Sequence, residues 1–170
     1  MKQVYYIMKA ELQSLFYSPI AWLILVVFTI QCSVAFCDTL DSVAKAVAEG
    51  QQMPGLTYWF FSRDYHGWGV FHAGMRYLYI YFPLLTMGLF SRELASGSIK
   101  LLDSSPVSTI QVVIGKFFSM LVYALVLLGV WMIFVIYGGI SIENFAYARI
   151  WVAFLGMFLT MATYSAIGLF

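Results

Sequence analysis

Few residues in this chain have the type and spacing to do chemistry. His66 and His72, with Asp64 nearby, offer metal-binding groups, but zinc sites place their ligands closer together or in larger number, so no metal site is assigned. Gly115-Lys116 has the ending of a phosphate-binding loop. Phe117, however, stands where a Ser or Thr would hold magnesium, and the upstream glycine is missing, so the chain does not bind ATP by that device. The Ser and Thr residues within the apolar runs read as helix-packing groups, and none of them has a base and an orienting partner legible in the sequence. No catalytic residue is assigned. Cys32 and Cys37 fall on one helix at a spacing that points them in different directions, which argues against a disulfide and for apolar packing. What remains is a polar island, residues 91–108, reading SRELASGSIKLLDSSPVS between two long apolar runs. It is compact, mixed in charge and framed by helix signals, as suits a docking element on the water side of a membrane bundle.

Composition demands that bundle. Of 170 residues, 62% are hydrophobic and 10% charged, whereas a soluble domain carries about 25% charged residues. A mean hydropathy of +0.87 places the chain among integral membrane proteins. The net charge of +1, with no basic stripe, excludes a nucleic-acid partner.

The elements follow from periodicity and punctuation. Val4, Met8, Leu12, Leu15 and Phe16 recur at helical spacing among Lys2, Gln3, Lys9, Gln13 and Ser14, which predicts an amphipathic helix over 2–17 lying along the membrane surface, or else a cytoplasmic extension of the first span. Ser18-Pro19 then starts a new helix. The charge-free run 20–37 is a first span. Lys2, Lys9 and Ser33-Val34-Ala35 mimic a signal peptide, but the long lead-in and span-length run point to a retained span. An outer loop follows over 38–70, with a short surface helix from Asp41 to Glu49 ended by Gly50, and a turn at Pro54-Gly55. Its aromatic cluster, Tyr58, Trp59, Phe60, Phe61, Tyr65, Trp68 and Phe71, suits the headgroup level. A second span covers 71–90, with Pro83 as a kink and with Arg76 near the outer end either snorkelling to the headgroups or, if it does not reach them, facing protein or water as a functional charge. Ser108 and Gln111 form a capping box that opens a third span over 109–138, with Val107 and Val112 as its staple and Lys116 in the cytoplasmic interface. Gly138-Gly139 ends it, and a fourth span occupies 149–170. The run is still apolar at Phe170, so the expected whole is a longer protein. Lys2, Lys9, Arg92, Lys100 and Lys116 on one side, against Lys45, Arg63, Arg76 and Arg149 on the other, put the N-terminus and the island inside. The expected fold is an all-α polytopic transmembrane bundle with an N-terminal interfacial helix.

Drawn as a helix, the island gathers Phe90, Leu94, Leu101 and Leu102 on one side. Glu93, Gly97 and Lys100 form an adjacent stripe, and Arg92, Ser96 and Asp103 lie opposite the leucines. It has an apolar back to rest on the bundle and a polar front to offer, although a tight amphipathic connector would share that pattern.

The spacing resembles a known family. Arg92-Glu93-x3-Gly97-Ser98-Ile99-Lys100-Leu101-Leu102, then Ser105-Pro106-Val107-Ser108, then Ile114-Gly115-Lys116, looks like the signature of ABC-2 type transporter permeases, and most like their gliding-motility-associated bacterial members. Lys9-Ala10-Glu11-Leu12 leading to Ser18-Pro19-Ile20-Ala21 is similar too. Here Gly97-Ser98 replaces the family's Gly-Thr, and Lys100 stands where an acid is usual. The resemblance implies a six-span permease subunit, of which this chain supplies about four spans, in a bacterial inner membrane. It implies a coupling helix, with Arg92, Glu93, Gly97, Ser98, Lys100, Leu101 and Leu102 docking on a separate cytoplasmic ATPase. Ser105, Pro106, Ser108, Gln111 and Lys116 would form the turn and the start of the third span. ATP and magnesium would sit on the partner, and a second permease subunit would complete the transporter. The residues by themselves leave open an ATP-independent transporter or channel, and a non-transporting membrane assembly protein. Mid-membrane Asp, Glu or His, which proton coupling would require, are absent from the spans.

Overall fold

The structure, a computed structural model, describes residues 2–50, 55, 57, 61, 69–96, 108–141 and 145–169, with the backbone alone for 2, 89–96 and 109. Helices dominate, and no strand occurs among the described residues. In chain order they are α1 (Lys2–Phe16), α2 (Pro19–Ala48), α3 (Val70–Arg76), α4 (Leu78–Ser96), α5 (Thr109–Ser141) and α6 (Tyr147–Leu169). Three of them, α2, α5 and α6, are long and apolar enough to cross a membrane. They leave large apolar side chains exposed, among them Leu23, Val26 and Ile30 on α2 and Val152, Leu155 and Leu159 on α6. Water would not tolerate such continuous apolar faces, and lipid does. The chain is an all-α membrane protein.

The helices form two packed units. One gathers α1, the start of α2, α4, the first part of α5 and the end of α6; Phe82, Met120, Tyr123 and Met161 are fully buried in its core. The other gathers the rest of α2, α3, the rest of α5 and the start of α6, around a fully buried Phe28, Leu128, Trp131 and Met157.

Several expected boundaries move, each for a physical reason. α2 does not stop at Cys37 but continues to Ala48, absorbing the separate surface helix expected after Asp41. Asp38 and Asp41 end the hydrocarbon-compatible stretch, yet no Gly or Pro interrupts the helix before Gly50, whose φ of 73° closes it. A charge ends a span without ending a helix. Likewise, α5 runs through Gly138-Gly139 to Ser141. Gly138 makes room for packing, since a Cβ there would lie 2.8 Å from Phe61 Cζ, whereas one on Gly139 would meet the Phe145 ring at an ordinary 3.7 Å.

The second span, expected as one helix with a kink at Pro83, is divided at Tyr77, and Pro83 lies inside α4. At the end of α3 the backbone leaves helical geometry (Tyr77 φ −115°, ψ 6°), and the Tyr77 N–H turns to the Met75 carbonyl. That deprives the Ala73 carbonyl of its ordinary donor four residues on. Gln31 Nε2 of α2 supplies a replacement, donating to Ala73 O at 2.7 Å. Gly74 lets α3 press onto its neighbours, with a notional Cβ 2.9 Å from Met157 Cε.

The described part of the aromatic cluster packs against other rings. Phe61 is buried, with ring centroids 6.2 Å from Trp131 and 5.8 Å from Phe145, and Phe71 stands 6.1 Å from Trp131. Edge-on aromatic packing of this kind builds a core. Tyr58, Trp59, Phe60, Tyr65 and Trp68 lie outside the described residues. Cys32 is buried and Cys37 exposed, both as free thiols.

Candidate functional site

The amphipathic pattern of α1 becomes a packing face. Val4, Ile7, Met8, Glu11 and Leu12 are partly buried and Leu15 is buried, while Lys9, Ala10 and Gln13 point outward. The partner of that face is the first part of α5. A Cβ on Gly115 would fall 2.6 Å from Ile7 Cγ2 and 3.0 Å from Ile7 Cβ, so α1 rests almost directly on the α5 backbone. One residue on, Lys116 Nζ meets Glu11 Oε1 at 3.0 Å, with the two side chains only 3% and 17% exposed.

The Lys116 ammonium, expected near the start of the third span, is folded against α1 and paired with Glu11 there. Removing two charges from water is costly, and a geometry this close recovers the cost by direct attraction and a charge-assisted hydrogen bond. The Lys116 backbone carbonyl also accepts from the buried Ser119 hydroxyl at 2.7 Å.

The same unit ties α1 to the start of α2. Trp22 Nε1 donates to the Phe16 carbonyl at 2.8 Å, satisfying one of the carbonyls that a helix end leaves bare. The Phe16 ring lies 6.3 Å from both Trp22 and Tyr123. Tyr123 Oη donates to the Ala21 carbonyl at 2.7 Å, fastening α5 to the first turn of α2. Pro19 opens α2 as its first residue, as its fixed φ favours.

Ser108 caps α5. The Gln111 N–H points to Ser108 O at 2.9 Å and lies 3.4 Å from Ser108 Oγ, and the Val112 N–H reaches Ser108 O at 3.3 Å. Only half of the expected capping box forms. Gln111 Oε1 is buried and has no hydrogen-bond partner among the described residues, so the side chain is turned into the protein rather than back to Ser108.

The island is reached only in part. Arg92 and Glu93 belong to the last turns of α4, where the backbone alone is described. Gly97, Ser98, Lys100, Leu101, Leu102, Ser105 and Pro106 lie outside the described residues, as does Val107 of the expected staple. Of the metal-binding group considered above, His72 is exposed on α3, while Asp64 and His66 lie outside. No cluster of three or more metal-binding side chains occurs among the described residues.

Sequence reasoning passed over Glu11 as a functional residue. The signal was present: positions 4, 7, 8, 11, 12 and 15 form one stripe, and Glu11 is the single charge on it. An acid on an otherwise apolar face requires a cation, and Lys116 is the lone charge of α5. The two segments that carried the family resemblance from opposite parts of the chain, Lys9 to Leu12 and Ile114 to Lys116, thus meet in one contact.

A family profile described as ABC-2 family transporter protein matches residues 5–170. No curated protein and no solved structure matches the chain. With helices of membrane-spanning length and a family match that takes in α1 through α6, the chain belongs to the ABC-2 family of transporter proteins.

Proposed function

We propose that the chain is the membrane-spanning permease subunit of an ATP-driven exporter, worked by a separate cytoplasmic ATPase. The observation that carries this reading is the Lys116–Glu11 pair beside Gly115, which joins the helix starting at the capped Ser108 to α1. A push on residues 91–108 would enter α5 at its first turn. It would travel along a rod of 33 residues, about 50 Å long, and carry α1 with it. Rigid tilting of such a rod is the motion by which a membrane path between two subunits opens.

In this reading Arg92, Glu93, Gly97, Ser98, Lys100, Leu101 and Leu102 dock on the ATPase, with Ser105 and Pro106 as the turn into Ser108. ATP and magnesium are held by that partner. A second permease subunit, identical or related, completes the path. The N-terminus and the island face the cytoplasm of a bacterial inner membrane. The motif spacing also favours a role like that of the gliding-motility-associated members.

The test is ATP hydrolysis by the complex purified with its ATPase. Glu93→Lys or Gly97→Pro is expected to abolish permease-dependent hydrolysis while membrane insertion stays normal. Unchanged hydrolysis in both variants overturns the docking assignment, and failure of any ATPase to co-purify overturns the reading as a whole.

A further inference from the structure

The end of α3 borders a recess of about 360 Å³. It is lined by Gln31, Val34, Ala35 and Asp38 of α2 and by Arg76 and Tyr77. The four α2 residues are spaced as one stripe of a helix. Gln31 is already fixed by its bond to the Ala73 carbonyl, so the wall is held in place by the same contact that stabilises the end of α3. The Arg76 guanidinium lies 5.4 Å from the centroid of the Tyr77 ring, which aligns it by cation–π attraction.

The height of this recess follows from α2. Its charge-free stretch from Ile20 to Cys37 is about 27 Å long, close to the roughly 30 Å of a hydrocarbon core. Asp38 therefore stands at the membrane boundary remote from the N-terminus, and Gln31 sits about 10 Å deeper. The recess runs from headgroup level down to acyl depth. It offers a cation and a carboxylate, with apolar Val34 and Ala35 between Asp38 and Gln31. Non-helical backbone at membrane depth is tolerated where it lines a cavity, and interrupted spans are where transporters hold polar ligand groups. Arg76 and Asp38 thus line one hollow whose wall Gln31 holds through the Ala73 carbonyl.

We propose that this recess binds a phosphate–amine zwitterion, with the phosphate on Arg76, the amine on Asp38 and any attached acyl chain along Val34 and Ala35. The assignment holds whether or not an ATPase drives the chain.

Native mass spectrometry of the full chain in detergent tests it, titrating phosphatidylethanolamine against phosphatidylglycerol, with phosphoethanolamine as a chain-free competitor. Wild type is expected to retain phosphatidylethanolamine about tenfold better than phosphatidylglycerol, as one charge-assisted contact implies. Arg76→Gln should weaken both lipids, whereas Asp38→Asn should weaken phosphatidylethanolamine alone. Displacement by phosphoethanolamine at equal concentration identifies a water-soluble zwitterion as the ligand; displacement only at large excess identifies a membrane amphiphile. Equal retention of the two lipids by wild type overturns the proposal, as does retention of phosphatidylethanolamine unchanged by both substitutions. Both side chains are exposed, and circular dichroism verifies each fold. Should Arg76→Gln fold poorly, Asp38→Asn decides by itself, because loss of lipid selectivity is a result that mere destabilisation does not give.

Discussion

The most consequential residue here is Lys116. Its 3.0 Å pairing with Glu11 makes it the fastener of the N-terminal helix. Substituting Lys116 by Met leaves the Glu11 carboxylate facing an apolar wall and should cost about 3 kcal/mol. The double substitution Lys116→Met with Glu11→Leu should restore most of that, since two apolar groups of similar size replace a desolvated pair. Equilibrium unfolding of both variants in mixed micelles checks this; a double variant no more stable than the single would refute the account. Gly115 makes a separate demand. Gly115→Val would drive a methyl into Ile7 and should cost about 1–3 kcal/mol, with partial rescue by Ile7→Ala. The same unfolding measurement reports both changes. Lys116 was legible as important, because it ended a recognisable motif; its partner, some 105 positions away in sequence, was not.

At the scale of the element, interruptions rather than helices carry the information. The division at Tyr77 frees the Ala73 carbonyl, and Gln31 accommodates it. Gln31→Leu removes that donor without changing bulk greatly, and should destabilise the protein by about 1–3 kcal/mol, the cost of a buried acceptor left unmade. Faster amide hydrogen exchange within α3 would accompany it; unchanged exchange would show that the break does not depend on Gln31. Helix-to-helix contact can be tested through two glycines that look alike in sequence. A Cβ on Gly168 would strike Thr86 at 2.5 Å from Oγ1 and 3.2 Å from Cβ, and that hydroxyl is already bonded to the Pro83 carbonyl. One on Gly74 meets the mobile end of Met157. Gly168→Ala is therefore expected to lower the melting temperature by several degrees, and Gly74→Ala by much less, in the same thermal scan.

Taken as a whole, the chain is a membrane domain whose long helices present apolar faces outward and whose lone charges are drawn together or to the ends. If the N-terminal side is cytoplasmic, a cysteine placed at Ser91 should react with a membrane-impermeant maleimide only after the cells are opened, and one at Asp41 should react in intact cells. The reverse pattern would invert the proposed topology, and with it the side on which an ATPase could act.

The sequence by itself determined the class, the family and the positions of the long apolar helices, because burial in lipid depends on composition and length, which are local quantities. It also marked the N-terminal stripe, the Ser108 cap and the start of α2 at Pro19, since caps and periodicity act within a turn or two. Only the tertiary structure decided which face meets which. It paired Glu11 with Lys116, set Gln31 against Ala73, buried Phe61 beside Trp131, and divided the second span at Tyr77. Those outcomes depend on residues far apart in the chain competing to satisfy a charge, a carbonyl or a void. The polar island, the first clue in the sequence, ends where Ser108 opens the helix that Lys116 fastens to α1.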